Sequence, residues 1–251
     1  MLRCTSLMKA VAIIPARLAS TRLPLKVLRE IAGKTMLARV YEAVRGCPGL
    51  TRVIVATDSR EILDACTQQG WEAQMTSTAH RSGTDRVHEV AGRVSADVYV
   101  NVQGDEPLLR PEHLSVLLDL MKGEHIQVGT VKTPCSTADV TNPNAVKVVT
   151  DLSGRALYFS RATIPHDRDR TPESQKEVRY FKHLGLYAYR KPALDRFCSL
   201  PQSALERSER LEQLRFLENG IAIHVAETPY DTIGVDTEDD LRRVEQILRK
   251  K

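Results

Sequence analysis

A chain of 251 residues, 42% of them hydrophobic, is long enough for one large α/β domain or for such a domain with an embedded lobe. A net charge of +4 is too small to point to nucleic acid and suits an anionic small substrate, and 5% aromatic residues argue against a single-strand binder. Five scattered cysteines without a CxxC pair argue against a disulfide framework and fit a reducing, cytoplasmic setting.

The first seven residues lead into no visible element, which makes Met8 an alternative start. No apolar run before Arg17 has the length of a signal peptide or membrane span, so no membrane insertion is expected. AVAIIP (10–15) is a continuous apolar run, the pattern of a strand buried on both faces. Directly after it the loop gathers Arg17, Arg22 and Lys26. These cations suit a triphosphate, or form a solvated basic loop. The loop holds neither GxxxxGK[ST] nor GxGxxG, so the common phosphate cradles are absent.

Helical spacing follows over 36–44, then a strand, RVIVATD (52–58), ending in Asp58. The next helix, 61–70, has Gly70 as its C-cap. HRSGTDR (80–86) places Ser82, Gly83 and Thr84 before a helix over 85–94, where they offer N–H groups to an anion or cap the helix. DVYVNVQGDEP (97–107) is a strand running into Asp105, which is either a Mg²⁺ ligand or a turn cap. A further helix starts at Pro111.

This alternation predicts a mostly parallel central sheet flanked by helices, with ligands bound past the carboxyl ends of the strands. Arg17, Asp58 and Asp105 stand at such ends. After about Gln127 the pattern loosens. Residues 145–160 read as two strands joined by a turn at 151–154, and 167–179 as a charged loop. FSRATIP (159–165) ends a strand at Arg161, whose planar fork can grip a carboxylate.

In the strand HLGLYAY (183–189), His183, Gly185 and Tyr187 share one face, either a structural pair or a gap for a polar ligand. A helix is predicted over 209–220, on which Glu212 faces solvent beside an apolar stripe. The chain closes with a strand and then GVDTEDDL, where Thr237 and Asp240 form a capping box. Asp236 just before it complements the helix dipole or serves as a second metal carboxylate. The whole reads as a single domain over 8–251, with the segment around 130–205 as a smaller embedded lobe. HExxH, GxSxG and a cysteine in a catalytic context are all absent.

In order along the chain, IPARLASTRLPLK, ATD, HRSGTDR, NVQGDEP, NPNAVKVV, ALYFSRATIP, HLGLYAYR, LEQLR and GVDTEDDL resemble the 3-deoxy-manno-octulosonate cytidylyltransferase (CMP-Kdo synthetase) family from about Val11 to the C-terminus. The resemblance implies a Rossmann-like nucleotidyltransferase fold, a sugar-binding and dimerisation lobe, and a homodimer. It implies CTP and Kdo as substrates, Mg²⁺ as cofactor and a place in lipopolysaccharide synthesis. It assigns Arg17 and Lys26 to the triphosphate and Asp105 and Asp236 to the metal, and these four form the catalytic set. Arg22, Thr57, Asp58, Ser82, Gly83, Thr84 and Gln103 complete the nucleotide side. Gln103, Arg161, His183, Tyr187, Glu212 and Gln213 fall to the sugar acid.

Two positions depart from the family pattern. Leu25 replaces the glycine of RLPGKP, so a positive φ there carries strain, and His166 replaces an aromatic residue. Alternative readings are a cytidylyltransferase for 8-amino-Kdo or a nonulosonic acid, and a catalytically silent nucleotide-binding protein.

Overall fold

The computed structural model describes residues 8–18, 23–169 and 179–250. Its elements in chain order are β1 (Ala10–Ala16), β2 (Glu30–Ile31), β3 (Lys34–Thr35), α1 (Met36–Arg45), β4 (Leu50–Thr57), α2 (Arg60–Gln68), β5 (Ala73–Met75) and α3 (Gly83–Ala91). There follow β6 (Val98–Asn101), α4 (Pro111–Met121), β7 (Val128–Pro134), α5 (Thr137–Thr141), β8 (Lys147–Thr150), β9 (Ala156–Ser160) and β10 (Phe181–Tyr189). The last are α6 (Lys191–Ser199), α7 (Ala204–Glu209), α8 (Leu214–Glu218), β11 (His224–Glu227) and α9 (Glu238–Arg249).

The main sheet runs β11-β7-β10-β6-β1-β4-β5. β1 pairs in parallel with β4 and β6, β4 with β5, and β11 with β7, so along this path only β10 runs against its neighbours. β8 and β9 form a hairpin that hangs from β10. The predicted mostly parallel sheet is thus present. β7 and β10, from the segment read as an embedded lobe, are full members of it.

β1 explains why the sheet is buried on both sides. Ala10, Ala12, Ile14 and Ala16 join one core layer, with Val40 and Val44 of α1 and Leu114 and Leu117 of α4. Val11 and Ile13 join the opposite layer, with Val87 and Val90 of α3, Phe197 of α6 and Phe216 of α8. A strand with helices on both faces cannot alternate apolar with polar, hence the unbroken apolar run. A third cluster joins the two ends of the chain: Leu23, Ile31 and Met36 pack with Val235, Leu241 and Val244.

The helix predicted over 209–220 is a correction. α7 ends at Glu209, Arg210 takes a left-handed conformation at φ 52°, and α8 begins only at Leu214. The 3.6-residue period therefore does not run through Glu212, and its predicted solvent-facing position fails.

His113 on α4 ties the helix start to the C-terminal strand connection. Its Nδ1 accepts the Arg110 N–H at 3.0 Å, and its Nε2 donates to the Tyr230 carbonyl at 3.0 Å. Burial lowers its pKa, against the opposing pull of these bonds. Protonation would place a second N–H against the Arg110 donor. A histidine with a depressed folded pKa contributes stability above its unfolded pKa of about 6.5 and loses it as pH falls below that. Urea midpoints measured from pH 8 to 5 are expected to fall in the acid half of that range, with a shallower slope in His113→Gln.

Candidate active site

The cleft opens at the carboxyl ends of β1 and β6. It is lined by Pro15, Arg17 and Lys26 from the first loop, Ser82 and Gly83 at the start of α3, and Gln103, Gly104 and Asp105 after β6, with Asp236 from the C-terminal segment. Backbones approach closely here. A Cβ on Gly104 would stand 3.1 Å from the Pro15 carbonyl oxygen, and one on Gly83 3.4 Å from the Pro15 ring. A side chain at position 104 would press on the Pro15 backbone, whereas a Cβ at position 83 would only reach ordinary contact with the Pro15 ring.

Leu25 keeps the conformation that suits glycine. Its φ is 56° and ψ 25°, and it starts the short 3₁₀ turn Lys26–Leu28. Its side chain is 44% exposed, so no burial offsets the strain. Left-handed backbone costs a residue with a Cβ about 1–2 kcal/mol, and glycine loses roughly 0.5–1 kcal/mol of that gain to backbone entropy. Leu25→Gly is accordingly expected to raise stability by about 0.5–1 kcal/mol in urea unfolding, and any loss of stability would count against the strained geometry.

The turn delivers Lys26 into the cleft. Its Nζ lies 2.5 Å from Asp105 Oδ2 and 2.9 Å from Asp236 Oδ1. Burial pulls its pKa down, but the two carboxylates outweigh this and hold it above the ordinary lysine value. The main chain aligns the acids, because Val235 N–H donates to the Asp105 carbonyl at 2.9 Å. The predicted Thr237–Asp240 capping box is present, and Asp240 also accepts the Asp236 N–H at 3.2 Å. Hard carboxylate oxygens suit Mg²⁺. Among the described residues no cluster of three or more His, Cys, Asp or Glu forms a metal site, so these two acids fit a metal shared with substrate phosphates rather than a closed protein cage.

The remaining predicted residues divide. Arg17 is exposed on the cleft, and α3 presents its N-terminus there, capped by Ser82. Such an end favours anions. Thr57 is fully buried, its hydroxyl accepting the Ser59 N–H at 3.1 Å. Asp58 pairs with Arg86, and it is Arg86 that lines the cleft. Arg22 lies outside the described residues.

Deeper in, Gln103 sits between two glycines. A Cβ on Gly185 would lie 3.6 Å from Gln103 Cγ, and one on Gly83 3.9 Å from its Oε1. Thr84 donates to Glu212 Oε1, so Glu212 turns inward, with burial raising its pKa. Gln213 is buried beside it. Tyr187 is buried with no hydrogen-bond partner on its hydroxyl. The Thr130 hydroxyl donates to the Leu186 carbonyl at 2.7 Å, so His183 Nε2 donates to Thr130 at 3.0 Å. Burial pushes the His183 pKa down to about 3.

Arg161 stands apart from these. Its Nε donates to the Glu209 carbonyl at 2.8 Å and its Nη1 to the Pro143 carbonyl at 3.0 Å, which ties the β9 end to neighbouring loops. His166 lines a separate cleft with Cys135, Thr163 and Phe181.

Sequence reasoning misses Glu106. Its Oε1 lies 3.2 Å from the Cβ position of Gly185. Burial, reinforced by Asp105, pushes its pKa up to about 7. The signal is its place beside Asp105 in NVQGDEP, where the more prominent acid draws the whole assignment.

A parallel sheet carrying cations, a helix N-terminus and paired acids at its carboxyl edge has the fold and cleft of an α/β nucleotidyltransferase. The cytidylyltransferase family model matches residues 11–223. The 3-deoxy-manno-octulosonate cytidylyltransferase of Koribacter versatilis is 70% identical over 247 residues, covering 98% of this chain and 93% of that protein. The enzyme of the same name from Acidobacterium capsulatum is 58% identical, covering 98% of this chain and all of its own. The solved structure of CMP:2-keto-3-deoxy-manno-octonic acid synthetase complexed with CTP superposes with a TM-score of 0.91 at 42% identity, covering 96% of this chain and 99% of its own. The chain belongs to the 3-deoxy-manno-octulosonate cytidylyltransferase family.

Proposed function

We propose that the protein transfers CMP from CTP to the anomeric hydroxyl of Kdo, giving CMP-Kdo and pyrophosphate. Lys26 held between Asp105 and Asp236, at the strand ends that also present Arg17 and the α3 N-terminus, carries this reading. The sugar hydroxyl releases its proton to solvent as its oxygen attacks the α-phosphorus, the bond from the α-phosphorus to the bridging oxygen breaks, and pyrophosphate leaves with that electron pair. No covalent enzyme intermediate is needed. Catalysis rests on alignment and on neutralising phosphate charge.

In this scheme Arg17 and Lys26 hold the triphosphate, and Gly83 at the start of α3 offers it a main-chain N–H, the Ser82 N–H being taken by Asp85 in the capping box. Asp105 and Asp236 hold Mg²⁺, which when bound polarises phosphate oxygens and helps the sugar hydroxyl ionise. Gln103, His183, Tyr187, Glu212 and Gln213 orient the sugar acid. The buried, unpartnered Tyr187 hydroxyl supports a polar ligand at this end. Arg161 stays in the set on the family resemblance, which also supports a homodimer, a cytoplasmic setting and supply of lipopolysaccharide synthesis. Among the described residues no helix is long and apolar enough to cross a membrane. Leu25 takes the left-handed conformation that a glycine would take at this position, which supports turnover over a silent nucleotide binder.

Pyrophosphate release from purified protein with Mg²⁺, CTP and Kdo tests the reading, with ATP, GTP and UTP as controls. Release requiring both CTP and Kdo is expected. Release only with 8-amino-Kdo or a nonulosonic acid would move the substrate, and CTP binding without release from any sugar acid would overturn the reading.

A further inference from the structure

The Lys26 ammonium stands where a cation shared by Asp105 and Asp236 would stand. It meets both carboxylates, at 2.5 and 2.9 Å, and its side chain is only 14% exposed. We propose that Lys26 is a removable stopper, which keeps a divalent cation off the two carboxylates until a polyphosphate arrives and draws the ammonium away. The inference rests on the metal reading above and adds an order to it: nucleotide and metal enter together, and metal does not bind first.

Three observations carry it. The first is charge. Two carboxylates and one ammonium sum to −1, and a divalent cation approaching alone meets the fixed positive group between its ligands. One that approaches with a polyphosphate does not, because the phosphates take over the ammonium.

The second is the donor set. The cleft offers two acids, and no larger group of metal-ligating side chains accompanies them among the described residues. Magnesium is commonly held by one or two carboxylates together with substrate phosphates, and sheds its waters reluctantly. Two acids already satisfied by an ammonium are a poor bid for it.

The third is mobility of the right part. Lysine carries its charge on a flexible four-carbon stem with three rotatable donors. The acids are aligned by main-chain bonds, Val235 N–H to the Asp105 carbonyl and Asp236 N–H to Asp240. The ammonium can therefore leave without dispersing the pair.

Binding of Mn²⁺, read by electron paramagnetic resonance of the free ion, tests the proposal on the full chain. Without nucleotide, Lys26→Met is expected to bind Mn²⁺ about tenfold or more tightly than wild type, the penalty of displacing the stopper having been removed. Adding Asp105→Asn to Lys26→Met should abolish that gain. Lys26→Arg, which keeps a cation between the acids, should stay as weak as wild type and serves if Lys26→Met does not fold. A folded Lys26→Met no tighter than wild type, or a tight Lys26→Arg, would overturn the stopper. The CTP arm separates the two readings. Wild type that takes up Mn²⁺ with CTP, beyond what free CTP chelates, while Lys26→Met shows no gain without it, sinks the stopper alone. No uptake by either protein with or without CTP sinks the metal assignment with it.

Discussion

Asp105→Asn is expected to lower kcat by about 100-fold or more, the scale seen when one central electrostatic group is lost from a reaction of this kind. The substitution keeps the shape of the side chain and the main-chain carbonyl that receives Val235 N–H, so the fold and the placement of Asp236 should persist. What disappears is one of the two negative charges facing Lys26. Steady-state pyrophosphate release, with circular dichroism as the folding control, decides the matter. Near-normal turnover in a folded variant would remove Asp105 from the metal and from the chemistry.

The largest expected effect on stability lies away from the cleft, at Glu206. Its carboxylate receives Arg215 Nε at 2.7 Å and Nη2 at 2.5 Å, with the two side chains only 6% and 10% exposed. The guanidinium also lies 4.1 Å from the centre of the Phe197 ring. Glu206→Ala leaves a buried cation without its bidentate partner, and is expected to cost about 3–5 kcal/mol in urea unfolding. Replacing both partners, Glu206→Leu with Arg215→Met, should cost much less, because no charge is stranded. A loss under about 1 kcal/mol for Glu206→Ala would show that solvent reaches Arg215 after all.

Features set by near neighbours are legible in the sequence. The apolar run of β1, the Pro111 helix start and the Thr237–Asp240 box are of this kind, and each is found where expected, while Gly70 stands one place beyond the C-cap predicted for it, as the left-handed residue after a Gln69 C-cap. β7 escapes because it is not uniformly apolar. Lys132 is buried in it, its ammonium donating to Thr150 and lying over the Phe181 ring. β10 shows its alternation but not its antiparallel place between β6 and β7, since nothing within a strand states its partners.

The site follows the same division. Lys26, Asp105 and Asp236 are visible as charges at strand and helix ends, but their meeting spans contacts that local pattern does not encode. A continuous helix over 209–220 misplaces Glu212, because a left-handed Arg210 interrupts it. Thr57 has the position of a ligand-edge residue, and its burial is not stated by the local pattern.

The contact between Lys26 and Asp236 joins positions 210 residues apart. The cluster of Leu23, Ile31 and Met36 with Val235, Leu241 and Val244 fastens the same two regions. Arg29 pairs with Glu238, and Glu245 receives the Ala32 N–H. During synthesis the first strand and its loop therefore leave the ribosome long before their partners exist. A nascent chain can lay down β1, β4 and β6 early, but it holds half a cleft until the segment around Asp236 emerges. A chain cut short before residue 236 would be left without one of the two acids that meet Lys26.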